Sequence, residues 1–185
     1  MILTTKHLIL RQPKIKDAKD IIEGINNLNI SKWLLVVPYP YTMKDARWYI
    51  NHCAEKNKQK KKDSYSFSIE LKSEKKIIGG CGISKIDNHS KTAELGYWLN
   101  ENYWRQGLIT EAINVLIEFA SKKLKLRRLT IPAYSDNKAS NALAKSLGFK
   151  YEGRLRKVAF CKATGKIHDE NVYGLLKEEW KKRLK

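Results

Sequence analysis

The feature that most constrains this chain is a strand that turns through a short loop into a long amphipathic helix. Apolar residues alternate from Thr92 to Leu99, which predicts a strand with one buried face. From Ile109 to Ala120 they recur every three or four residues, which predicts a helix with one apolar side. The loop between them holds a single glycine, Gly107. The fold must therefore accommodate a strand, a glycine-containing turn and a helix in succession.

The turn has the chemistry of an anion site. The first turn of a helix carries backbone N–H groups without a partner inside the helix, at the positive end of the helix dipole. Gly107 has no Cβ, so a ligand can approach that backbone closely. The pattern lacks the Gly-Lys-Ser/Thr ending of a Walker loop and the glycines of a dinucleotide fingerprint. Either the turn cradles a phosphate or pyrophosphate, or its glycine only serves packing.

Two groups of residues resemble the coenzyme A motifs of a known family. Glu94–Leu99 followed by Tyr103–Ala112 is similar to the acyl-CoA loop of the GNAT superfamily of N-acetyltransferases. Asp136–Asn141, followed by Leu147–Phe149 and Glu152–Gly153, is similar to that family's second coenzyme A motif. Each motif is weak alone, but their order and spacing together make the resemblance specific.

The two ends of the chain resemble one branch of the family. Leu8–Arg11 near the start, and Tyr173 with Glu179 and Trp180 near the end, are similar to the RimJ/RimL-like N-terminal acetyltransferases of ribosomal proteins. The resemblance thus runs from about Thr5 to Trp180.

The turn departs from the family pattern. The family reads Gln/Arg-x-x-Gly-x-Gly/Ala, whereas here Asn102 stands first and Arg105 takes the place of the first glycine. Gly107 keeps the second place. Because the turn keeps one glycine of two, a non-catalytic regulator that binds acyl-CoA is one alternative to an enzyme.

The resemblance implies an α+β fold, the GNAT fold, in one domain over residues 1–185. That fold is a single mixed, twisted sheet of about seven strands with helices on both faces. Strands are expected over 5–11, 65–71, 77–84, 92–99, 128–134, 149–156 and 166–175. Helices are expected over 17–26, 42–58, 109–120, 137–148 and 177–184.

Local signals refine this pattern. Asp17 is expected to cap the first helix, and Thr42 with Asp45 to form a capping box for the second. The strand over 77–84 contains several glycines, which indicates a bulge or a close approach of another backbone.

The resemblance implies that acetyl-CoA is the cosubstrate and that no metal takes part. Backbone N–H groups of the turn would hold its pyrophosphate, and the strand before the turn would separate from its neighbour and pair with pantetheine. The residues expected to bind it are Trp98, Leu99, Arg105, Gln106, Gly107, Leu108, Ile109, Thr110, Asn137 and Ser140.

Two residues are candidates for proton transfer. Glu94 shares a strand face with Gly96 and Trp98 and is the candidate base; the alternative is an exposed or salt-bridged strand carboxylate. Many relatives place a tyrosine on the helix of the second motif to protonate the leaving thiolate, but that place is Ala144 here. Ser140 is the candidate donor instead, and the alternative is that it only completes the capping turn.

The acceptor is expected to be a primary amine. An α-amine, with a reference pKa of about 7.7–8.0, loses its proton more easily than a lysine side chain at about 10.4. The first hypothesis is the N-terminal α-amine of a peptide or protein, with ribosomal proteins as one class. The alternative is a small amine such as a polyamine or an antibiotic. The residues expected near the acceptor are Trp33, Tyr39, Tyr41 and Trp48.

Composition bounds the compartment and the partners. The net charge is +18, from 37 Lys and Arg against 19 Asp and Glu, and such a charge suits acidic partners. Lys is in excess over Arg, which disfavours a protein that reads a nucleic-acid sequence. Three distant cysteines, without metal-ligand spacing, fit reduced thiols in a cytoplasm. No signal peptide or membrane span is expected. Either a monomer or a homodimer is compatible with the sequence.

Overall fold

The computed structural model describes residues 1–60 and 62–183, and within them eight strands form one sheet flanked by helices. The strands are Ile2–Thr4 (β1), Leu8–Arg11 (β2), Tyr65–Leu71 (β3), Lys76–Asp87 (β4), Thr92–Leu99 (β5), Arg128–Tyr134 (β6), Lys150–Phe160 (β7) and Ile167–Leu176 (β8). The α-helices are Ala18–Ile25 (α1), Leu28–Ser31 (α2), Met43–Lys58 (α3), Leu108–Lys122 (α4), Lys138–Ser146 (α5) and Lys177–Arg183 (α6).

The sheet changes from antiparallel to parallel pairing at its centre. The strand order is β1-β2-β3-β4-β5-β6-β8-β7. Among these neighbours β5 and β6 run parallel, and the other pairs are antiparallel. α4 connects β5 to β6, so the strand, turn and helix read from the sequence form a βαβ crossover. The expected α+β fold with one mixed sheet is confirmed.

Helices cover both faces of the sheet. α4 carries the apolar side expected of it, and its residues Ala112, Ile113, Leu116 and Ala120 are fully buried in the main core cluster. On the opposite face α1 and α3 enclose a second cluster with Ile77 of β4. The two-sided arrangement places the start of α4 beside the end of β5, where the turn lies.

The strand predicted over 5–11 is wrong in its first half, since β2 begins at Leu8. The eighth strand of the sheet is β1, which precedes the predicted range. The backbone N–H of Thr5 donates to the Leu8 carbonyl at 3.0 Å, and the Leu8 N–H donates to the Thr5 hydroxyl at 3.0 Å. A threonine side chain that binds the backbone in this way favours a turn. The chain therefore reverses here, and β1 pairs antiparallel with β2.

Asp17 does not cap α1 with its side chain, so that prediction is wrong. Its carboxylate accepts hydrogen bonds from the Arg11 guanidinium at 2.7 and 2.8 Å. Arg11 also donates from Nε to Glu70 at 2.6 Å. Because all three side chains are largely buried, the carboxylates are needed to compensate the buried guanidinium, and they join β2, β3 and the start of α1.

The predicted starts of α3 and α6 agree with the structure. The capping box of Thr42 and Asp45 is present at the start of α3. α2 was not predicted. It is a single helical turn, and the side chain of its N-cap residue Asn27 accepts from the Asn29 N–H at 2.8 Å. α6 begins at Lys177 as expected, and residue 184 of the predicted helix lies outside the described residues.

The parallel pairing of β5 with β6 is short. Thr92–Glu94 pairs with Arg128–Thr130, and beyond these residues the two strands are not paired with each other. Pro132 lies just past the paired segment of β6 and has no N–H to donate to a neighbouring strand. β6 stays paired with β8 along its whole length, so the gap opens on the β5 side.

The glycines of β4 allow the close approach that the sequence indicated. A Cβ on Gly79 would lie 2.6 Å from the Trp98 carbonyl oxygen, and one on Gly80 would lie 2.5 Å from the Trp98 indole nitrogen. Trp98 is packed between this strand and α1, where a Cβ on Gly24 would lie 2.7 Å from its ring. The small residues therefore fix how β4, β5 and α1 meet.

We expect Gly79→Ala to destabilise the fold by about 1–3 kcal/mol, because the added methyl group meets backbone that cannot rotate away. Gly96→Ala on β5 is the matched control, since a Cβ there would meet nothing within 4 Å. Thermal or urea unfolding of both variants measures the difference. Equal stabilities would show that β4 and β5 can move apart at no cost.

Candidate active site

The turn before α4 has the backbone geometry of an anion site. Gly107 is the N-cap residue, with a φ of 76°, and no side chain caps the helix there. The first helical bond runs from the Glu111 N–H to the Gly107 carbonyl at 3.0 Å. The N–H groups that precede Glu111 in the first turn therefore have no partner within the helix. A Cβ on Gly107 would meet nothing within 4 Å, so the approach to these groups is open.

Arg105, which stands at the first glycine place of the family pattern, has a left-handed backbone. Its φ is 61°, in the region that non-glycine residues rarely occupy. The turn thus has two left-handed positions, at residues 105 and 107, although it has only one glycine. A left-handed position is one that glycine adopts without strain, so the backbone of this turn is compatible with a glycine at residue 105.

Side chains within the loop hold it against β5. The Trp104 indole N–H donates to the Leu99 carbonyl at 2.8 Å, and Gln106 donates to the Asn102 carbonyl at 3.2 Å. The Leu99 carbonyl, expected to be available for pantetheine, is therefore bound to Trp104. Gln106 is oriented back into the loop, while its backbone and that of Arg105 lie at the exposed surface.

The backbone of β5 offers free groups to the gap beside β6. The Asn100 N–H donates to the Ile78 carbonyl of β4 at 2.8 Å, and the antiparallel register is regular from Glu94 to Leu99. Backbone groups alternate in direction along a strand, so those of Trp98 point to β4 and those of Tyr97 and Leu99 point into the gap. Trp98 was expected to pair with pantetheine; the structure assigns that orientation to Tyr97 instead, and Trp98 serves packing.

The start of α5 brings Ser140 to the same gap. The Asn137 side chain caps the helix by accepting from the Ser140 N–H at 3.1 Å. The Ser140 hydroxyl takes no part in that cap and lies 2.9 Å from the Tyr97 hydroxyl of β5. Burial raises the pKa of Tyr97, and the hydrogen bond with Ser140 opposes part of that rise. Ala144, where many relatives have a tyrosine, is fully buried in the core.

Glu94 lies at the edge of the gap on the opposite face of the sheet. It is the last residue of β5 that pairs with β6, and its carboxylate forms a 3.0 Å ion pair with Lys85. The ion pair agrees with the salt-bridged alternative for Glu94. Its role as the base stays a prediction. On the same face β8 contributes Glu170, whose pKa is raised by burial and by the nearby Glu94 carboxylate. Sequence reasoning missed Glu170 because it belongs to no motif.

The four aromatic candidates for the acceptor site do not cluster. Trp33 packs edge-on against Tyr134 at 6.3 Å between ring centroids, near the end of β6. Tyr41 is 6% exposed within the α1–α3 cluster, and burial raises its pKa to about 12, so it is a core residue rather than an acceptor contact. Trp48 is 65% exposed on the side of α3 away from its buried residues, stacked on His52. Tyr39 is half-exposed in the loop before α3, and its role stays a prediction.

Other features lie apart from this gap. A cavity of about 550 Å³ lies beside α5 and is lined by Ser135, Asp136, Lys145, Tyr151, Arg154, Asn171 and Tyr173. It adjoins the β8 side of α5, whereas Ser140 contacts β5. Among residues 1–60 and 62–183 no three His, Cys, Asp or Glu side chains are grouped to hold a metal ion. No helix in the described chain is long and apolar enough to cross a membrane.

Comparisons with known proteins agree with this geometry. The sequence pattern of the family described as "Acetyltransferase (GNAT) domain" matches residues 7–150. The N-acetyltransferase p20 of Bacillus licheniformis, described as uncharacterized, is 31% identical over 180 residues, which cover 96% of this chain and 97% of that protein. The ribosomal-protein-serine acetyltransferase of Escherichia coli is 36% identical over 109 residues, 59% of this chain and 60% of that protein.

A solved structure extends the comparison to three dimensions. The microcin C7 self-immunity acetyltransferase MccE, solved in complex with acetyl-CoA and AMP, superimposes with a TM-score of 0.80. It is 30% identical, and the match covers 93% of each chain. The likeness therefore extends over nearly the whole fold.

The turn geometry predicts that Gly107→Asp weakens binding of coenzyme A by about tenfold or more relative to Gly107→Asn. Both residues tolerate a left-handed φ better than other side chains, so both variants should fold with a similar cost of about 1 kcal/mol. Only aspartate adds a negative charge where pyrophosphate is expected, and a tenfold change corresponds to about 1.4 kcal/mol. Isothermal titration calorimetry with coenzyme A measures the ratio; equal affinities would place the pyrophosphate elsewhere.

Proposed function

The chain belongs to the GNAT acetyltransferase family and is an acetyl-CoA-dependent N-acetyltransferase, and from that premise we propose that its acceptor is the N-terminal α-amine of a protein or peptide. Ribosomal proteins are the class that the similarity to the Escherichia coli ribosomal-protein-serine acetyltransferase favours. The three cysteines, Cys53, Cys81 and Cys161, are free and buried, which suits a reaction in the reducing cytoplasm.

The observation that carries the transfer step is the pairing of Ser140 with Tyr97 at the gap between β5 and β6, whereas the choice of an α-amine acceptor is supported by the similarity to the Escherichia coli enzyme. A thioester reaction needs a proton for the departing sulfur, and this pair supplies hydroxyl groups at the point where the coenzyme A motifs meet. The Ser140 hydroxyl donates to the sulfur as negative charge develops, and the Tyr97 hydroxyl orients it. This arrangement takes the place of the tyrosine that many relatives have at the position of Ala144.

The remaining groups of the gap have complementary tasks. The backbone N–H groups from Gly107 to Thr110 hold the pyrophosphate of acetyl-CoA, because no side chain satisfies them. The free backbone groups of Tyr97 bind the pantetheine arm and polarise the thioester carbonyl. An α-amine suits such a site because it needs only a weak base near neutral pH.

A second candidate is a small-molecule amine acceptor, such as a polyamine or an antibiotic. The match to MccE favours it, because that protein is similar over nearly the whole chain and was solved with AMP beside acetyl-CoA. The non-catalytic regulator is not supported, since the family model and the relatives that match this chain are named as acetyltransferases.

Intact-mass analysis after incubation with acetyl-CoA distinguishes the acceptors. We expect a single acetyl group on peptides with a free N-terminus, including peptides of ribosomal-protein N-termini, and none on the same peptides with a blocked N-terminus. The panel also contains polyamines and aminoglycosides. Turnover of a small amine without turnover of any peptide would establish the second candidate in place of the first.

Ser140→Ala should lower kcat by about 10²-fold, the low end for general-acid assistance, because a thiolate is already a good leaving group. Affinity for acetyl-CoA should stay nearly unchanged, since the hydrogen bond strengthens in the transition state. The helix cap should survive, because it uses the Ser140 backbone N–H. Tyr97→Phe, which removes only the partner hydroxyl, should reduce kcat less.

Single-turnover kinetics with a titration of acetyl-CoA measure both effects. If folded Ser140→Ala turns over at the parent rate while chemistry is rate-limiting, the thiolate takes its proton from water. Ser140 would then be only a residue of the helix start.

A further inference from the structure

We infer that Glu170 of β8, which lies on the same face of the sheet as Glu94, binds the ammonium group of the acceptor and removes its proton. The inference rests on the proposed transfer of acetyl to an amine and names the base of that reaction. Glu94 is the carboxylate that the sequence suggested, and the structure adds Glu170 on the strand next to β6.

The registers of the strands place the two carboxylates on one face of the sheet. Glu94 pairs with Thr130 of β6, which in turn lies opposite Gly174 of β8. Tyr134, four residues further along β6, lies opposite Glu170. Paired residues and alternate residues of a strand share a face, so Glu94 and Glu170 are on the same side. Glu170 lies in the direction in which β5 and β6 have ceased to pair.

The two carboxylates differ in their partners. Glu94 is neutralised in part by Lys85 at 3.0 Å. The Glu170 carboxylate has no hydrogen bond or ion pair with any residue in the described part of the chain, although the residue is only partly exposed. A partly buried carboxylate without a partner is costly, and the cost is recovered when a cation binds. The chain has a net charge of +18 and is rich in Lys and Arg. The Glu170 carboxylate nevertheless forms no ion pair with any of the Lys or Arg side chains that the structure describes.

The end of this face has unpaired polar groups as well. The Tyr134 ring is stacked on His168 with ring centroids 4.4 Å apart, and Trp33 packs against both. Tyr134 is 4% exposed, and neither its hydroxyl nor the His168 Nε2 has a hydrogen-bond partner in the described structure. His168 and Glu170 are alternate residues of β8 and share the face of Tyr134. The rings of Trp33, Tyr134 and His168, with two polar atoms that have no hydrogen-bond partner in the described structure, thus lie at the end of the face that carries Glu170.

The floor between the carboxylates is open. Gly96 of β5 is exposed, and a Cβ there would meet nothing within 4 Å. Gly96 and Pro132 lie on the same face as Glu94 and Glu170, one on each side of the gap. An amine that enters over Gly96 reaches the gap from the face opposite α4 and α5, which carry the coenzyme A motifs. Acceptor and cosubstrate therefore approach the reacting carbon from opposite faces.

The proton balance of the step follows from this placement. The acceptor enters as an ammonium ion, and the Glu170 carboxylate takes one proton to leave a neutral amine. The nitrogen lone pair then forms a bond to the acetyl carbon, and the carbon–sulfur bond breaks. The nitrogen gives its second proton to water, and the Ser140 hydroxyl gives its own proton to the departing sulfur and regains one from water. Glu170 returns its proton to water, so the products are an amide, a thiol and one released proton.

The raised pKa of Glu170 suits this role and fixes the direction of the pH dependence. Burial raises it first and the Glu94 carboxylate second, while Lys85 lowers it. β6 and β8 add Tyr134 and His168 to the ionisable groups on this face, and the register partner on β7 is the uncharged Leu155. Only the carboxylate form can accept a proton, so kcat/KM falls as pH decreases through this raised pKa.

The test compares the pH profiles of the parent enzyme and Glu170→Gln with whichever amine the mass analysis identifies. At pH 7 we expect kcat/KM for the amine to fall by about 10²-fold, the low end for a general base. The loss should shrink above pH 8 for an α-amine, whose own pKa is about 7.7–8.0, because the free amine then needs no base. The KM for acetyl-CoA should not change.

Two variants serve as controls. Glu170→Asp keeps the carboxylate and should recover part of the activity together with the acidic limb of the profile. Asp169→Asn neutralises the neighbouring residue, which points to the other face and binds Arg154 at 2.9 Å, and should keep the parent profile. Calorimetry of amine binding without acetyl-CoA provides a readout apart from turnover: Glu170→Gln should weaken binding of the ammonium form.

The outcomes separate this inference from the proposed acceptor. A parent-like profile and parent-like amine affinity for Glu170→Gln would overturn the role of Glu170, even if peptides are acetylated as proposed. Loss of the acidic limb in Glu94→Gln but not in Glu170→Gln would assign the base to Glu94 and also overturn it. If a small amine is the acceptor, the peptide assignment fails, and the same comparison with that amine still tests Glu170.

Discussion

The site depends on the point at which β5 and β6 stop sharing hydrogen bonds. Their pairing ends at Glu94 and Thr130, although both strands continue and remain paired on their outer sides. Pro132 provides a local reason, because it cannot donate a hydrogen bond in the segment beyond the pairing. The gap leaves backbone groups of Tyr97 free within an otherwise continuous sheet. Unpaired backbone groups in such a place need partners, which the pantetheine amides of acetyl-CoA can supply.

The coenzyme A side of the gap is built from backbone more than from side chains. Gly107 and Arg105 hold left-handed conformations that aim the start of α4, and Arg105 does so at a cost that glycine would avoid. The loop is tied to β5 through Trp104 and the Leu99 carbonyl. The Glu111 carboxylate in the first turn of α4 accepts from the His7 backbone N–H at 2.8 Å and so joins α4 to the turn before β2. Burial raises the pKa of Glu111, yet hydrogen bonds from His7 and Thr5 outweigh that effect and lower it.

The two faces of the sheet divide the chemistry. Ser140 and Tyr97 meet on the side of α4 and α5, where a proton donor can reach the leaving sulfur. Glu94 and Glu170 lie on the other side, so the proposed proton removal and proton donation would take place on opposite faces of the sheet. Arg11, Asp17 and Glu70 form a buried charged group with a structural task, because both carboxylates are bound to the Arg11 guanidinium. The Glu170 carboxylate differs from that group because it has no hydrogen-bond or ion-pair partner among the residues that the structure describes.

The sequence by itself determined the α+β fold and the βαβ crossover, and it predicted the turn as an anion site and a helix that starts at Asp136 or Asn137. Each of these depends on local periodicity, on capping or on a short motif. It could not determine the separate β1, since a threonine turn and a continuous strand look alike over Thr5–Arg11. It misplaced Tyr41 and Asp17, because burial depends on which distant elements pack over a residue. Only the tertiary structure decided that Ser140 meets Tyr97 and that Glu170 faces Glu94. Those residues lie on different strands and helices, and the register of the sheet, rather than their spacing along the chain, brings them together.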